Sequence, residues 1–279
     1  MGRLIAVVLF IALLVPGVLL ARAWGLASAR RAVAAAAVEF AEPTREGSVA
    51  LQRQTQHDRR VRRLGFLLGV VAAVGSVFLF GGASVFLWLP ALVAGLLMGV
   101  VAAEATAPRT RWRLSSPTRR PRRSEQISPV LIWVMRAVVV AEAATAVALL
   151  DADDLTGTVA TLALVPPLLA WALAEVTLLR ALTRPLPAEG ADVPVDEALR
   201  TWSAHLVTAA TSVLTLLPLG TLLLVAGIGL GDRITQGFDV LPVALVAGGF
   251  CAITAGLAVA AFLVPWLRPI RVGAPALAG

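Results

Sequence analysis

The chain has 279 residues, of which 58% are hydrophobic and only 15% are charged. An ordinary soluble domain has about 25% charged residues, so this composition predicts an integral membrane protein. The sequence contains no Lys, which excludes chemistry that depends on a lysine, such as P-loop phosphate binding and Schiff-base catalysis. The net charge of +7 has to be interpreted after the arginines are placed relative to the membrane.

Seven apolar segments are long enough to cross a bilayer core of about 30 Å, which takes about 20 helical residues. The sequence therefore predicts an all-α transmembrane bundle that forms a single membrane domain, residues 1–279. The first span stands alone and the other six form three hairpins. The predicted spans are residues 4–21, 64–80, 83–103, 129–150, 159–179, 206–230 and 240–263.

The composition of two segments between the spans predicts distinct structures for them outside the membrane. Residues 23–63 are rich in Ala, with Pro43 to end one helix and Ser48 to cap another after a turn at 44–47, which predicts a cytoplasmic helical hairpin. This hairpin is either a connector or a docking platform. Residues 107–128 are rich in Pro, Ser and Arg and contain few apolar residues, which predicts a flexible basic cytoplasmic loop.

The arginines decide the orientation. In a seven-span chain, 21 of the 24 arginines fall on one side of the membrane, and the cytoplasmic side is the one that collects them. We therefore expect a protein of the cell membrane with its amino terminus outside and its carboxyl terminus in the cytoplasm. The sequence Ala21-Arg22-Ala23 also resembles a signal-peptidase site, but cleavage there would leave the following Arg-rich segment outside, so the first helix is interpreted as a retained anchor. Contact of the basic loops with anionic lipid headgroups explains the net charge without nucleic acid.

Three ionisable residues occur at a similar depth on the cytoplasmic half of the predicted spans. Glu104, Arg136 and Glu175 each lie about 7 to 10 Å inside a span. Charges are costly in hydrocarbon and usually pair or serve a function. The three residues are predicted to form an intramembrane charge cluster, which is a structural ion-pair network or a gate or substrate site. Snorkelling of each side chain to the headgroups is the remaining alternative.

Glu142 lies near the middle of its span, about twelve residues from either end. Burial disfavours the charged form of a carboxyl group, so a neutral, hydrogen-bonded structural Glu142 is one interpretation, and a proton or cation site is the other. Five hydroxyl side chains are expected to lie close enough to bond it: Thr145, Thr208, Thr211, Ser212 and Thr215.

The third and fifth spans end in the same pattern, A-E-x-T-x-x-R, at residues 103–109 and 174–180. Both preceding hairpins start and end in the cytoplasm in the predicted topology. A parallel duplication of a two-helix unit would leave such a pattern, and coincidence is the alternative.

Motifs for catalysis and for metal binding are weak. His57, His205 and Cys251 are widely separated in the sequence, so no metal site is predicted. Gly229-Leu230-Gly231-Asp232 matches the GxGD string of intramembrane aspartyl proteases, but that chemistry requires a second aspartate, and no other span contains one. We expect no enzymatic activity and no cofactor.

One region carries a resemblance to known proteins. The sequence from Ala174-Glu175 through Arg180-Ala181-Leu182-Thr183-Arg184-Pro185-Leu186-Pro187 to Asp196-Glu197-Ala198-Leu199-Arg200 resembles uncharacterised polytopic membrane proteins of high-GC actinobacteria. The Arg-only, Ala-rich and Val-rich composition is similar to that source as well. The resemblance implies an actinobacterial membrane protein and no particular activity.

The sequence therefore predicts a non-enzymatic integral membrane protein that acts as an accessory or scaffold subunit of an envelope or transport complex, with another membrane protein as its partner. The alternative is a small secondary transporter or ion pathway that uses Glu142. A transporter should have a polar, water-accessible cavity that reaches Glu142. An accessory subunit should have a closed bundle and an exposed apolar surface.

Overall fold

A computed structural model of the chain describes residues 24–27, 45–80, 84–107, 126–150, 154–183, 192–233 and 240–267. Within these ranges every regular element is a helix, so the predicted all-helical fold is confirmed for them. A single helical turn at 24–27 precedes six longer helices. The six are α1 (Arg45–Phe80), α2 (Ser84–Thr106), α3 (Pro129–Ala148), α4 (Asp154–Thr183), α5 (Asp192–Arg233) and α6 (Val240–Trp266).

Five helices in the described part of the chain are long and apolar enough to cross a membrane. They are Gln52–Phe78, Pro129–Ala148, Val159–Ala181, Glu197–Leu230 and Val240–Val264. A sixth apolar helix, Pro90–Thr106, is shorter and falls where the third span is predicted. The first predicted span, 4–21, lies outside the described residues. This set of helices is consistent with a multi-pass membrane protein.

The helix α5 forms the centre of the bundle. Every residue from Trp202 to Leu216 is buried, and a helix that is buried on all sides must be surrounded by others. It contacts α2, α3, α4 and α6, whereas α1 packs mainly against α2 at the edge of the bundle. The hydroxyl side chains of this stretch and the ring of His205 are thereby brought into the core.

Glycines let α1 and α2 pack backbone against backbone. Gly65 and Gly69 of α1 face Gly95 and Gly99 of α2, and a Cβ atom on Gly65 or Gly95 would collide with the main chain of the opposite helix. In lipid, helices associate through such close contacts because the hydrophobic effect does not distinguish a helix from a lipid tail. These four glycines therefore form the α1–α2 interface.

Two helices are much longer than a bilayer core. The helix α1 has 36 residues, about 54 Å, and α5 has 42 residues, about 63 Å, so each extends well beyond a core of about 30 Å. Because α1 begins at Arg45, Ser48 lies inside the helix and the predicted turn at 44–47 is helical from Arg45 onward. The second half of the predicted hairpin is thus continuous with the second span.

The two predicted cytoplasmic segments are described only at their edges. Trp24, near the start of 23–63, is buried, and its ring stacks on Phe262 of α6 with the centroids 6.0 Å apart. Ile127, near the end of 107–128, is buried in the core with Leu131 and Ile132. The last residues of the segment predicted to be a flexible loop are thus packed, while 108–125 lies outside the described residues.

Candidate functional site: the buried charges

Arg136 of α3 and Glu175 of α4 form a bidentate ion pair. The Nε atom of Arg136 donates to Oε1 of Glu175 at 2.7 Å, and Nη2 donates to Oε2 at 2.9 Å. Trp171 Nε1 donates to the same Oε1 at 3.2 Å, and the Arg136 guanidinium lies 5.4 Å from the centre of the Trp133 ring. Paired donors matched to both carboxylate oxygens make this the strongest type of ion pair.

Glu104 of α2 has a different set of partners. Its carboxylate accepts a hydrogen bond from Ser203 Oγ of α5 at 2.6 Å, and its Oε1 lies 3.7 Å from Nη2 of Arg62 on α1. Arg62 also donates to the carbonyl oxygen of Leu267, after α6, at 3.4 Å. The predicted cluster of Glu104, Arg136 and Glu175 is therefore divided between two arginines, because Glu104 lies beside Arg62 and Glu175 pairs with Arg136.

The two copies of the A-E-x-T-x-x-R pattern form equivalent contacts. Each glutamate pairs with an arginine of the preceding helix, Glu104 with Arg62 and Glu175 with Arg136. The threonine two residues later donates in each case to the carbonyl four residues before it. The shared Glu–Arg pairing is what duplication of a two-helix unit would produce. The threonine bond does not bear on this question, because threonines outside the pattern make it as well.

Arg180 and Arg200 bind the carboxyl-terminal ends of neighbouring helices. Arg180 donates to the carbonyl oxygens of Ala105 and Ala107, where α2 ends. Arg200 is buried and donates to the carbonyl of Ala181 at the end of α4. The last carbonyls of a helix lack amide donors and carry partial negative charge, so an arginine there stabilises the helix end. We call the end of the bundle with Arg62, Glu104, Arg180 and Arg200 the arginine-rich end.

Glu142 of α3 is fully buried, with no exposed surface. Neither of its carboxylate oxygens has a hydrogen-bond partner among the described residues. The predicted hydroxyl bonds to Glu142 are wrong, because the five hydroxyls donate to backbone carbonyls instead. A threonine in a helix readily bonds the carbonyl one turn earlier.

These contacts limit the chemistry of the site. The described residues contain no group of three side chains able to hold a metal ion. Arg136 pairs with Glu175 and Arg62 lies beside Glu104, so each pair links two neighbouring helices. Sequence analysis missed Arg62 and Ser203 as partners of Glu104. The repeat contained a signal for Arg62, because Arg136 precedes its glutamate by a similar distance in the second copy.

Comparison with known proteins found no family model that matches the chain, and no curated protein or solved structure with significant similarity to it.

Proposed function

We propose that the protein is a non-enzymatic accessory or scaffold subunit of an envelope or transport complex, with a second membrane protein as its partner. The observation that supports this proposal best is the apolar side of α1 that faces away from α2. We call this surface the α1 outer face. It consists of the exposed residues Leu64, Phe66, Leu67, Leu68, Val71, Val74, Val77 and Phe78.

The position of α1 favours a partner on this face. The helix packs mainly against α2, and its apolar part is the least buried of the five candidate spans, at 17%. Its first half carries exposed arginines at 53, 59, 60 and 63, directly before the apolar part. A partner could therefore contact one continuous helix both inside the membrane and beyond it, through an apolar surface and a basic surface.

The interior of the bundle supports a structural role in the same way. Arg136 and Glu175 satisfy each other through two hydrogen bonds, and Glu142 has no exposed surface. Such an interior is expected of a closed bundle and gives a substrate no polar path. The proposal keeps the seven-span topology with a cytoplasmic arginine-rich end, where the basic loops contact anionic lipid headgroups.

A photocrosslinking experiment in native membranes tests this function. A benzoylphenylalanine residue is placed at Val71 on the α1 outer face and, as a matched control, at Val140 on α3. The two valines are 66% and 64% exposed, so the two positions should give the same crosslinking products if both contact only lipid. We expect a protein adduct of one defined mass from Val71 and none from Val140, because only α1 is proposed to bind a partner. The same adducts from both positions, or protein adducts from neither, would contradict the proposal.

An ion pathway through Glu142 is the second candidate. A buried carboxylate without a partner in the described residues favours it, because ionisable groups inside a membrane often mark ion paths. The complete enclosure of Glu142 places it second, since an open pathway requires access from at least one side.

A further inference from the structure

Glu142 lies where α3, α4 and α5 meet. It belongs to a stripe of buried residues on α3 that also contains Met135, Val139 and Ala146. Spacings of four, seven and eleven residues put all four on one face of the helix. Toward the arginine-rich end, Met135 packs with Ala174 of α4 and Val207 of α5. On the other side of Glu142, Ala146 packs with residues of the same two helices, Ala160 and Leu222.

These two layers fix what lies beside Glu142. At a rise of 1.5 Å per residue, Glu142 is about 10 Å along α3 from Met135. Counting seven residues from Val207 and four from Leu222 brackets this level at residues 214–218 of α5, and the same counts from Ala174 and Ala160 bracket it at 164–167 of α4. The hydroxyl of Thr211 lies 3.5 Å from the carbonyl oxygen of Ala170. This contact places Thr211 of α5 beside Ala170 of α4, between the two layers.

Prolines release backbone carbonyls at this level. The helix α4 contains Pro166 and Pro167, and α5 contains Pro218. A proline has no N–H, so the carbonyl four residues earlier lacks its helical donor. Pro167 thus releases the carbonyl of Ala163, a residue that packs against the Ala146 layer. Pro218 releases the carbonyl of Leu214, which is buried.

The neighbouring hydroxyls add further acceptors. Thr211 and Thr215 are fully buried, and each hydroxyl already donates to a backbone carbonyl. The lone pairs of a hydroxyl oxygen remain available after it donates. The helix register thus puts carboxylate, carbonyl and hydroxyl oxygens at about one level of the bundle. A group of buried acceptors requires a donor or a cation.

The charged residues of the surrounding helices do not supply that cation. Arg136 is six residues from Glu142 on α3 and is paired with Glu175. His205 and Arg200 of α5 lie at or beyond the Met135 level, and the ring of His205 stacks on Trp266. In the other direction, the first charged residues of α4 and α5 are Asp154 and Arg233, more than about 15 Å along the helix axes.

We propose that Glu142, with the carbonyl oxygens of Ala163 and Leu214, binds one monovalent cation, H⁺ or Na⁺. A proton on the carboxylate gives Glu142 an O–H donor for a released carbonyl. A sodium ion instead neutralises the carboxylate, and the carbonyl and hydroxyl oxygens complete its shell. Either cation leaves the buried site neutral, whereas a divalent ion beside a single carboxylate would leave a buried positive charge. The site goes beyond the accessory function, because it requires neither a partner nor flux across the membrane.

Carbodiimide labelling of the purified full-length protein in lipid bilayers tests the site. Dicyclohexylcarbodiimide enters membranes and reacts with protonated carboxyl groups, and mass spectrometry locates the product. We expect Glu142 to be modified, at a rate that falls as the pH rises. If Na⁺ occupies the site, replacing choline chloride with sodium chloride at one pH should slow the reaction. If only H⁺ binds, sodium should have no effect while the pH dependence remains.

Proline variants give the matched control. Pro218→Ala restores an amide donor to the carbonyl of Leu214, so it should weaken cation binding by about tenfold, the equivalent of one hydrogen bond. Pro90→Ala makes the same change in α2, away from Glu142, and should leave the labelling rate unchanged. Equal effects of the two substitutions, or a Glu142 labelling rate that ignores both pH and sodium, would overturn the proposal.

Infrared spectroscopy covers the case in which the reagent fails to reach Glu142. The difference between the wild type and Glu142→Gln should contain the carbonyl band of a protonated carboxyl group, which disappears on raising the pH or, for a sodium site, on adding sodium. An ionised Glu142 at every pH with no response to sodium would refute the site. A carboxyl band that responds to neither pH nor sodium would refute it as well, because it describes a permanently neutral structural carboxyl group. Crosslinking from Val71 should be the same in Glu142→Gln, so failure of the cation site and failure of the accessory function are distinguishable.

Discussion

Replacement of Gly65 by Val is expected to separate α1 from α2, whereas the same replacement at Gly75 should leave the pair intact. A Cβ atom on Gly65 would meet the main chain of Gly95 and Gly99, while one on Gly75 meets nothing within 4 Å. Main chain cannot rotate away as a flexible side chain does, so we expect a loss of about 3 kcal/mol in the free energy of unfolding, the upper part of the range for overpacking. Steric trapping in bicelles measures this free energy.

The comparison is well controlled because both glycines lie in α1 and both variants add the same β-branched side chain. Differences in helix propensity or in insertion into the membrane therefore cancel. Equal stability of the two variants would show that α1 and α2 are not held by backbone contact.

Removal of one partner of the Arg136–Glu175 pair is expected to cost more than removal of both. Arg136→Leu and Glu175→Leu should each lower the free energy of unfolding by about 3 kcal/mol, because each leaves a charge unpaired among apolar side chains. The double variant leaves no charge and should be more stable than either single variant. A double-mutant cycle measured by steric trapping isolates the interaction between the two side chains.

The substitution Arg53→Leu provides a control for simple loss of charge, since Arg53 is exposed near the start of α1 and should change stability little. Additive effects of the two single substitutions would mean that the pair does not couple α3 to α4. The Arg136–Glu175 pair would then need an explanation other than stabilisation of the fold.

Five of the seven predicted spans overlap helices that are long and apolar enough to cross a membrane, because lipid imposes a simple requirement, a run of apolar residues long enough to cross the core. Hydropathy could not predict how far helices continue beyond the membrane. The helix α5 begins at Asp192, well before the apolar run at 206. In this extension Arg200 and Ser203 are buried and bonded to other helices, so tertiary contacts preserve a helix that composition alone would end.

An expected level for the buried charges along their helices could be predicted from the sequence, but their pairing could not. A rise of 1.5 Å per residue gave Glu104, Arg136 and Glu175 a common level, but which helices face each other decides the pairs, and one sequence does not contain that information. The orientation rule already explained why arginines occur at this end, so the sequence offered no further reason to predict contacts for them. The contact of Arg62 with Glu104 and the binding of Arg180 to the end of α2 were therefore not predicted. The isolation of Glu142 was missed for a different reason, since its neighbouring hydroxyls prefer the backbone.

The proposed orientation in the membrane, and with it the cytoplasmic location of the basic surface of α1, depends on one claim, that the arginine-rich end faces the cytoplasm. A membrane-impermeant maleimide applied to intact cells tests it directly. In a Cys251→Ser background, Gln56→Cys, exposed near the start of α1, should be labelled only after the membrane is opened. Gly237→Cys, in the connector after α5 that lies outside the described residues, should be labelled in intact cells. The reverse pattern would place the arginines outside and contradict the topology together with the proposed cytoplasmic part of the partner surface.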